Sequence, residues 1–167
     1  MSDDQMVTPN RVRQELGQAQ IEKVLETQHM IRVGFSANEE IYVVPMGYVW
    51  YGGAFHGFTS HGRKVEMAQT SPNVAFSIDT SSRTGHWTWH SVAGEGTFEV
   101  IKMPRAALVM PKYIGKFNDA PGWFKVATAK EMAAGNLVAW RITPTSLTGR
   151  WLGSDTLTNE QLTQTGH

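Results

Sequence analysis

The 167 residues include no cysteine, which excludes thiol catalysis, a disulfide framework, cysteine-ligated metals and iron–sulfur clusters. A charge excess is missing too. The 15 basic residues balance the 15 acidic ones, so no global field favours nucleic acid or an anionic membrane, and any anion site has to be local. No apolar run approaches the ~20 residues of a membrane span, and Met1-Ser2-Asp3-Asp4-Gln5 is acidic and polar rather than basic and then apolar. The expectation is a soluble cytoplasmic protein. The six histidines show no H-E-x-x-H or comparable spacing, and His86 and His90, four apart on an expected strand, would stand ~13 Å apart, so no metal is expected.

What is present reads as a series of strands. After a polar arm (1–17), Ala19, Ile21, Val24 and Leu25 recur at helical spacing and predict a helix over Gln18 to Gln28. His29 to Ala37 and Ile41 to Tyr51 are β-rich around a turn at Asn38-Glu39, and Gly52-Gly53 predicts a two-residue hairpin with positive φ. Asn73 to Asp79 alternates Val74, Phe76 and Ile78 against Ala75, Ser77 and Asp79, as in a half-buried strand. Trp87 to Val100 continues in that style after an exposed loop at Ser81 to Gly85, and Leu137 to Thr143 is the last strand expected. Ala106 to Met110 and Ala127 to Ala134 are expected as short helices. Six strands joined mostly by short turns favour a closed or nearly closed antiparallel barrel over a doubly wound sheet. The expected domain is 18–152, followed by a polar tail, 153–167.

One stretch breaks the hairpin rhythm. Phe58-Thr59-Ser60-His61-Gly62-Arg63-Lys64 runs into the helical pattern of Val65, Glu66, Met67 and Ala68, so a strand ends in hydroxyls and basic residues where a helix begins. Free N–H groups and the positive end of the helix dipole face outward at such a junction. Arg63 as a planar fork and Lys64 as a point charge would neutralise a phosphate there. Two basic residues that merely solvate a helix start give the same pattern. Pro45 and Gly47 interrupt the preceding strand, as at an edge, a bulge or a close approach to a flat ligand.

Tyr42-Val43-Val44-Pro45-Met46, Gly62-Arg63-Lys64, Asn73-Val74-Ala75-Phe76 and Trp87-Thr88-Trp89-His90-Ser91-Val92 with Gly94 and Gly96 resemble, in order and spacing, the FMN-binding split-barrel family related to pyridoxamine 5′-phosphate oxidase. Within that family the chain is most similar to the branch of nitroimidazole-resistance reductases. The resemblance covers about residues 18 to 150. It implies a six-stranded antiparallel split barrel, a homodimer with FMN sites at the interface, and flavin-dependent reduction of a small acceptor such as a nitro or quinone-like compound. Arg63 and Lys64 would bind the FMN phosphate with Thr59 and Ser60. Val43, Val44, Pro45 and Met46 would lie along the ring, and Ser91 and Val92 would approach from the opposite subunit.

His56 resembles that branch's histidine and is the candidate proton donor, since an imidazole titrates near working pH. Trp87, Trp89, Trp151 and Arg150 are further candidates for the pocket. The chain lacks the basic C-terminal segment of vitamin-phosphate oxidases. A non-enzymatic flavin-binding protein, a haem-binding or haem-degrading barrel, and a deazaflavin in place of FMN stand as alternatives, with NADH or NADPH open as donor.

Overall fold

The computed structural model describes residues 11–81, 88–102, 105–118 and 122–154. The elements are β1 (Arg11–Glu15), α1 (Gln18–Thr27), β2 (Met30–Ala37), β3 (Glu40–Gly47), β4 (Val49–Tyr51), β5 (Ala54–Ser60), α2 (Arg63–Thr70), β6 (Asn73–Asp79), β7 (Trp89–Ile101), α3 (Arg105–Lys116), α4 (Gly122–Ala133) and β8 (Leu137–Ser154). Of the loop expected at Ser81 to Gly85 only Ser81 is described, and Trp87 lies outside the described residues.

The strands form one antiparallel sheet in the order β3-β2-β6-β7-β8-β5-β4, with β1 on β8. Eight strands replace the expected six. The expected stretch Ile41 to Tyr51 divides at Tyr48 into β3, which pairs with β2, and the three-residue β4, which pairs with β5 across the hairpin at Gly52-Gly53, φ 58° and 74°. Arg11–Glu15, inside the expected polar arm, pairs with Arg150–Ser154. The last strand also runs past Thr143 to Ser154, because β7 pairs with it from Ala139 to Leu152, while β5 pairs with its first residues and β1 with its last. A register shift at Glu95/Gly96 lets this long pairing bend. Among the described residues no ladder closes the sheet. Its two terminal strands, β3 and β4, are separated in the chain only by Tyr48, and β3 meets β5 where Gly57 faces the Gly47 carbonyl.

The inner face holds the core: Ile31, Val33 and Phe35 of β2, Val74, Phe76 and Ile78 of β6, and Trp140 and Ile142 of β8 are buried. The alternation at Asn73 to Asp79 is as expected. Asn38 and Glu39 turn with φ 50° and 64°, the mirror-image turn that two-residue hairpins favour. Helix α1 adds Ile21, Val24 and Leu25 to the core, and α2 adds Met67 and Ala68. On the outer face, α3 covers β4 and β5 through Val109 and Tyr113, which pack with Val49 and Phe58. It continues past Met110, where sequence reasoning ended it, because that packing outweighs the hydrogen bond lost at Pro111. Helix α4 begins at Gly122, upstream of the expected Ala127. No helix among the described residues is long and apolar enough to cross a membrane.

Candidate functional site

The junction from β5 to α2 has the expected form. Ser60 ends the pairing of β5 with β8 opposite Leu137, and the His61 amide donates to the Asn136 carbonyl at 3.2 Å, so the chain leaves the sheet there. Gly62 then starts α2, its carbonyl accepting from the Val65 and Glu66 amides at 2.8 and 3.2 Å. The amides of Arg63 and Lys64 precede any carbonyl their own helix can offer. Space beside Gly62 is open: apart from its chain neighbours, no atom of the described residues lies within 4 Å of where a Cβ would stand. Buried Val65, Met67 and Ala68 fix the helix, so the two basic side chains sit on a rigid mount.

Their environments differ. Lys64 is half-buried, and burial pulls its pKa below the ordinary lysine value. No carboxylate among the described residues pairs with it. Arg63 reaches the β2–β3 hairpin, where its Nη2 pairs with Glu40 Oε2 at 2.7 Å and its guanidinium stands 4.9 Å from the centre of the Tyr42 ring. Sequence reasoning missed Glu40, since nothing local marks a hairpin acid as the partner of a residue 23 positions away.

The same contact brings the junction against β3. That strand pairs only with β2 among the described residues, so Pro45 occupies an edge, where its missing amide costs nothing to a ladder. Ile41 and Val43 are 77% and 63% exposed, while Met46 is turned into the core. The outer face beside them is flat and small: Val43 lies opposite Gly34, and Gly34 opposite Ala75. Arg63 thus ties the start of α2, which follows Thr59 and Ser60, to Glu40 and Tyr42 of β3; Tyr42 and Val44 lie on the side of that strand packed against the core, and Val43 and Pro45 on the other.

Ser91 and Val92 do not join that region within the chain. They lie on β7, three strands from β3, ~14 Å at the usual strand spacing. Ser91 stands between Asp79 and Arg150, and the Val92 side chain is 0% exposed in the core. Exposed Arg150 therefore neighbours Ser91 rather than β3. Trp151 is buried, and Trp89 is half-buried opposite Leu152.

His56 is 8% exposed on the outer face of β5. Its Nε2 lies 3.2 Å from the Tyr51 carbonyl, which can only accept, so the proton of the neutral ring belongs on Nε2. Nδ1 is buried without a hydrogen-bond partner among the described residues. Across the ladder His56 faces Arg141, and Arg141 faces Glu99, its Nη2 2.5 Å from Glu99 Oε1. Burial holds the imidazole pKa below its ordinary value; the Tyr51 carbonyl opposes that shift and Arg141 adds to it. This three-strand row was invisible in sequence because it depends on the register of β8. Among the described residues no group of three or more His, Asp or Glu side chains is placed to hold a metal ion.

The family described as pyridoxamine 5′-phosphate oxidase matches residues 17–151. The chain belongs to that family. No curated protein matches it. Solved structures share the fold of this family member at low identity. A FAD-binding protein from Mesorhizobium loti is 19% identical, covers 87% of this chain and 100% of its own, and superposes with a TM-score of 0.67. A candidate 5-nitroimidazole antibiotic resistance protein from Bacteroides thetaiotaomicron is 18% identical, covering 87% of this chain and 90% of its own with a TM-score of 0.65. A FAD and heme binding protein from Mycobacterium smegmatis is 18% identical, covering 93% and 80% with a TM-score of 0.62.

Proposed function

We propose that this family member is a homodimeric, cytoplasmic FMN-dependent oxidoreductase that reduces a small nitro or quinone-like acceptor. The observation that carries the proposal is Lys64: a half-buried ammonium without a carboxylate partner among the described residues, beside open space at Gly62 and the free amides of a helix start. Burying a cation without a counter-charge costs free energy that a phosphate dianion would return. The residues present therefore fit the phosphate of a flavin nucleotide.

In this reading Lys64 and the α2 amides grip the phosphate, with the Thr59 and Ser60 hydroxyls beside them. Arg63 joins by exchanging Glu40, a swap between solvent-exposed partners that costs little. Val43 and Pro45 offer an apolar edge to the ring, and Pro45 leaves no amide there to satisfy. Ser91 reaches the site only from a second copy, which makes the dimer part of the proposal. Flavin, when bound, supplies the hydride chemistry, and the protein contributes binding and water exclusion.

His56 presents a bare Nδ1 lone pair at neutral pH, and protonating it would place a second cation beside Arg141. It is therefore not the proton donor of this proposal, which departs from the sequence-based expectation. The burial of His56 also favours a second reading, flavin binding without turnover. A haem reading finds less support, because the imidazole that the family resemblance points to is covered and tied to its own hairpin.

The test is the purified full chain. Mass spectrometry of the released cofactor is expected to give FMN at one per subunit, with turnover of nitro or quinone acceptors on NADH or NADPH. FAD, a deazaflavin or a Soret band in its place overturns the cofactor assignment. Bound FMN with no turnover selects the second reading. Sedimentation showing a monomer that holds FMN stoichiometrically overturns the dimer.

A further inference from the structure

On the far side of β5 a cavity of about 410 Å³ lies between the outer face of the sheet and the two long helices. Its walls come from Phe58 on β5, Ile101 on β7, Val138 on β8, Ala106 and Met110 on α3, and Met132 near the end of α4. The space is half open to solvent, with Val100 and Met132 in its lining 38% and 46% exposed, and its volume falls within the ~300–1,000 Å³ of small-molecule sites. Apolar surface left facing water in this way gains free energy when an apolar guest covers it.

Among the described residues Lys102 is the single charged side chain in the lining. It is exposed, follows directly on Ile101, and pairs with no carboxylate among the described residues. Ala106, in the first turn of α3, lines the same end, so the positive end of that twelve-residue helix adds to the lysine. The walls themselves favour an aromatic body. Phe58 supplies a ring, and two methionine thioethers give the adaptable sulfur–aromatic contacts that irregular pockets use. Among the described residues no side chain in the lining other than Lys102 carries a strong hydrogen-bonding group, so polar substituents in the middle of a guest find no strong partner there.

We propose that this cavity binds aromatic monocarboxylates, with the ring among Phe58, Met110 and Met132 and the carboxylate at Lys102. The site needs neither a flavin nor a second copy, so it goes beyond the oxidoreductase reading and survives the failure of that reading.

The experiment is calorimetric titration of the full chain, as purified, with 4-phenylbutyrate and with the matched alcohol 4-phenylbutanol. The wild type is expected to bind one phenylbutyrate per chain. Lys102→Gln is expected to weaken the acid about fivefold, the scale of an exposed ion pair, and to leave the alcohol unchanged. Met132→Trp fills the cavity and is expected to abolish both; Ala106→Leu does the same job if the tryptophan variant fails to fold. Cofactor content, read from the absorption of the same samples, reports separately on the flavin site. No binding of either compound at millimolar concentration overturns the proposal. So does insensitivity of the acid to Lys102→Gln, an equal loss for acid and alcohol, or indifference to the filling changes.

Discussion

Replacing Lys64 by methionine keeps the length and apolar stem of the side chain and removes only its ammonium. In the free protein that ammonium is half-buried and already disfavoured, as its lowered pKa records. The apo variant is therefore expected to melt at the wild-type temperature or slightly above it. The bound state loses one charge-assisted hydrogen bond to phosphate, worth about 1.5–3 kcal/mol, or a roughly 10- to 150-fold rise in the FMN Kd. Riboflavin has no phosphate and is expected to bind wild type and variant alike. Quenching of flavin fluorescence on titration into apo protein measures both, and a thermal melt of the same samples measures stability. Equal losses for FMN and riboflavin, or an apo protein that melts several degrees lower, would refute the reasoning: Lys64 would then be holding α2 rather than waiting for an anion.

Glu40→Gln frees Arg63 from its 2.7 Å ion pair and is expected to tighten FMN by up to about fivefold, the scale of an exposed pair; weaker binding would mean that Glu40 positions Arg63. Gly57→Ala puts a Cβ 2.5 Å from Trp140 Cζ2 and 2.6 Å from the Gly47 carbonyl, and is expected to cost about 1–3 kcal/mol in urea unfolding. An unchanged midpoint would rule out so close an approach of β3 to β5. His56 and His90 both have lowered pKa values through burial, so the unfolded chain binds more protons as pH falls through ~6.5. Stability is expected to be full above that pH and to decline below it. Lys116, pulled down to about 8 chiefly by burial, works in the alkaline window: the folded form sheds its proton there while the unfolded chain keeps it to about 10.5, so stability rises between those values. Lys116→Met is expected to flatten that limb of a denaturation-against-pH curve.

Local signals carried well from sequence to structure. Gly52-Gly53 and Asn38-Glu39 turn where their residue chemistry places them, and the period of two at Asn73 to Asp79 predicts which side chains enter the core. The β5–α2 junction was legible because its hydroxyls, glycine and basic pair are contiguous. What escaped was set at long range. Strand β1 is polar apart from Val12 and is a strand only because β8 runs far enough to meet it. Neither the Glu40–Arg63 pair nor the His56–Arg141–Glu99 row leaves a local trace, since each depends on which strands become neighbours. Pro111 misled in the other direction: its helix-breaking tendency is real, and the burial of Val109 and Tyr113 overrides it.

The pairing of β8 with β1, β5 and β7 has a consequence for how the chain acquires its fold during synthesis. Before Leu137 leaves the ribosome, the strand pairings of the sheet fall into two pieces, a four-stranded β3-β2-β6-β7 unit and the short β4–β5 hairpin, and β1 has no strand partner among the described residues. A lone hairpin is marginal in water. The nascent chain thus carries open edges on β5 and β7 that invite pairing with other chains, until one late strand joins the pieces in a single step. Substitutions that weaken β8 should lower the yield of folded protein during synthesis more than they lower the stability of molecules that have already folded.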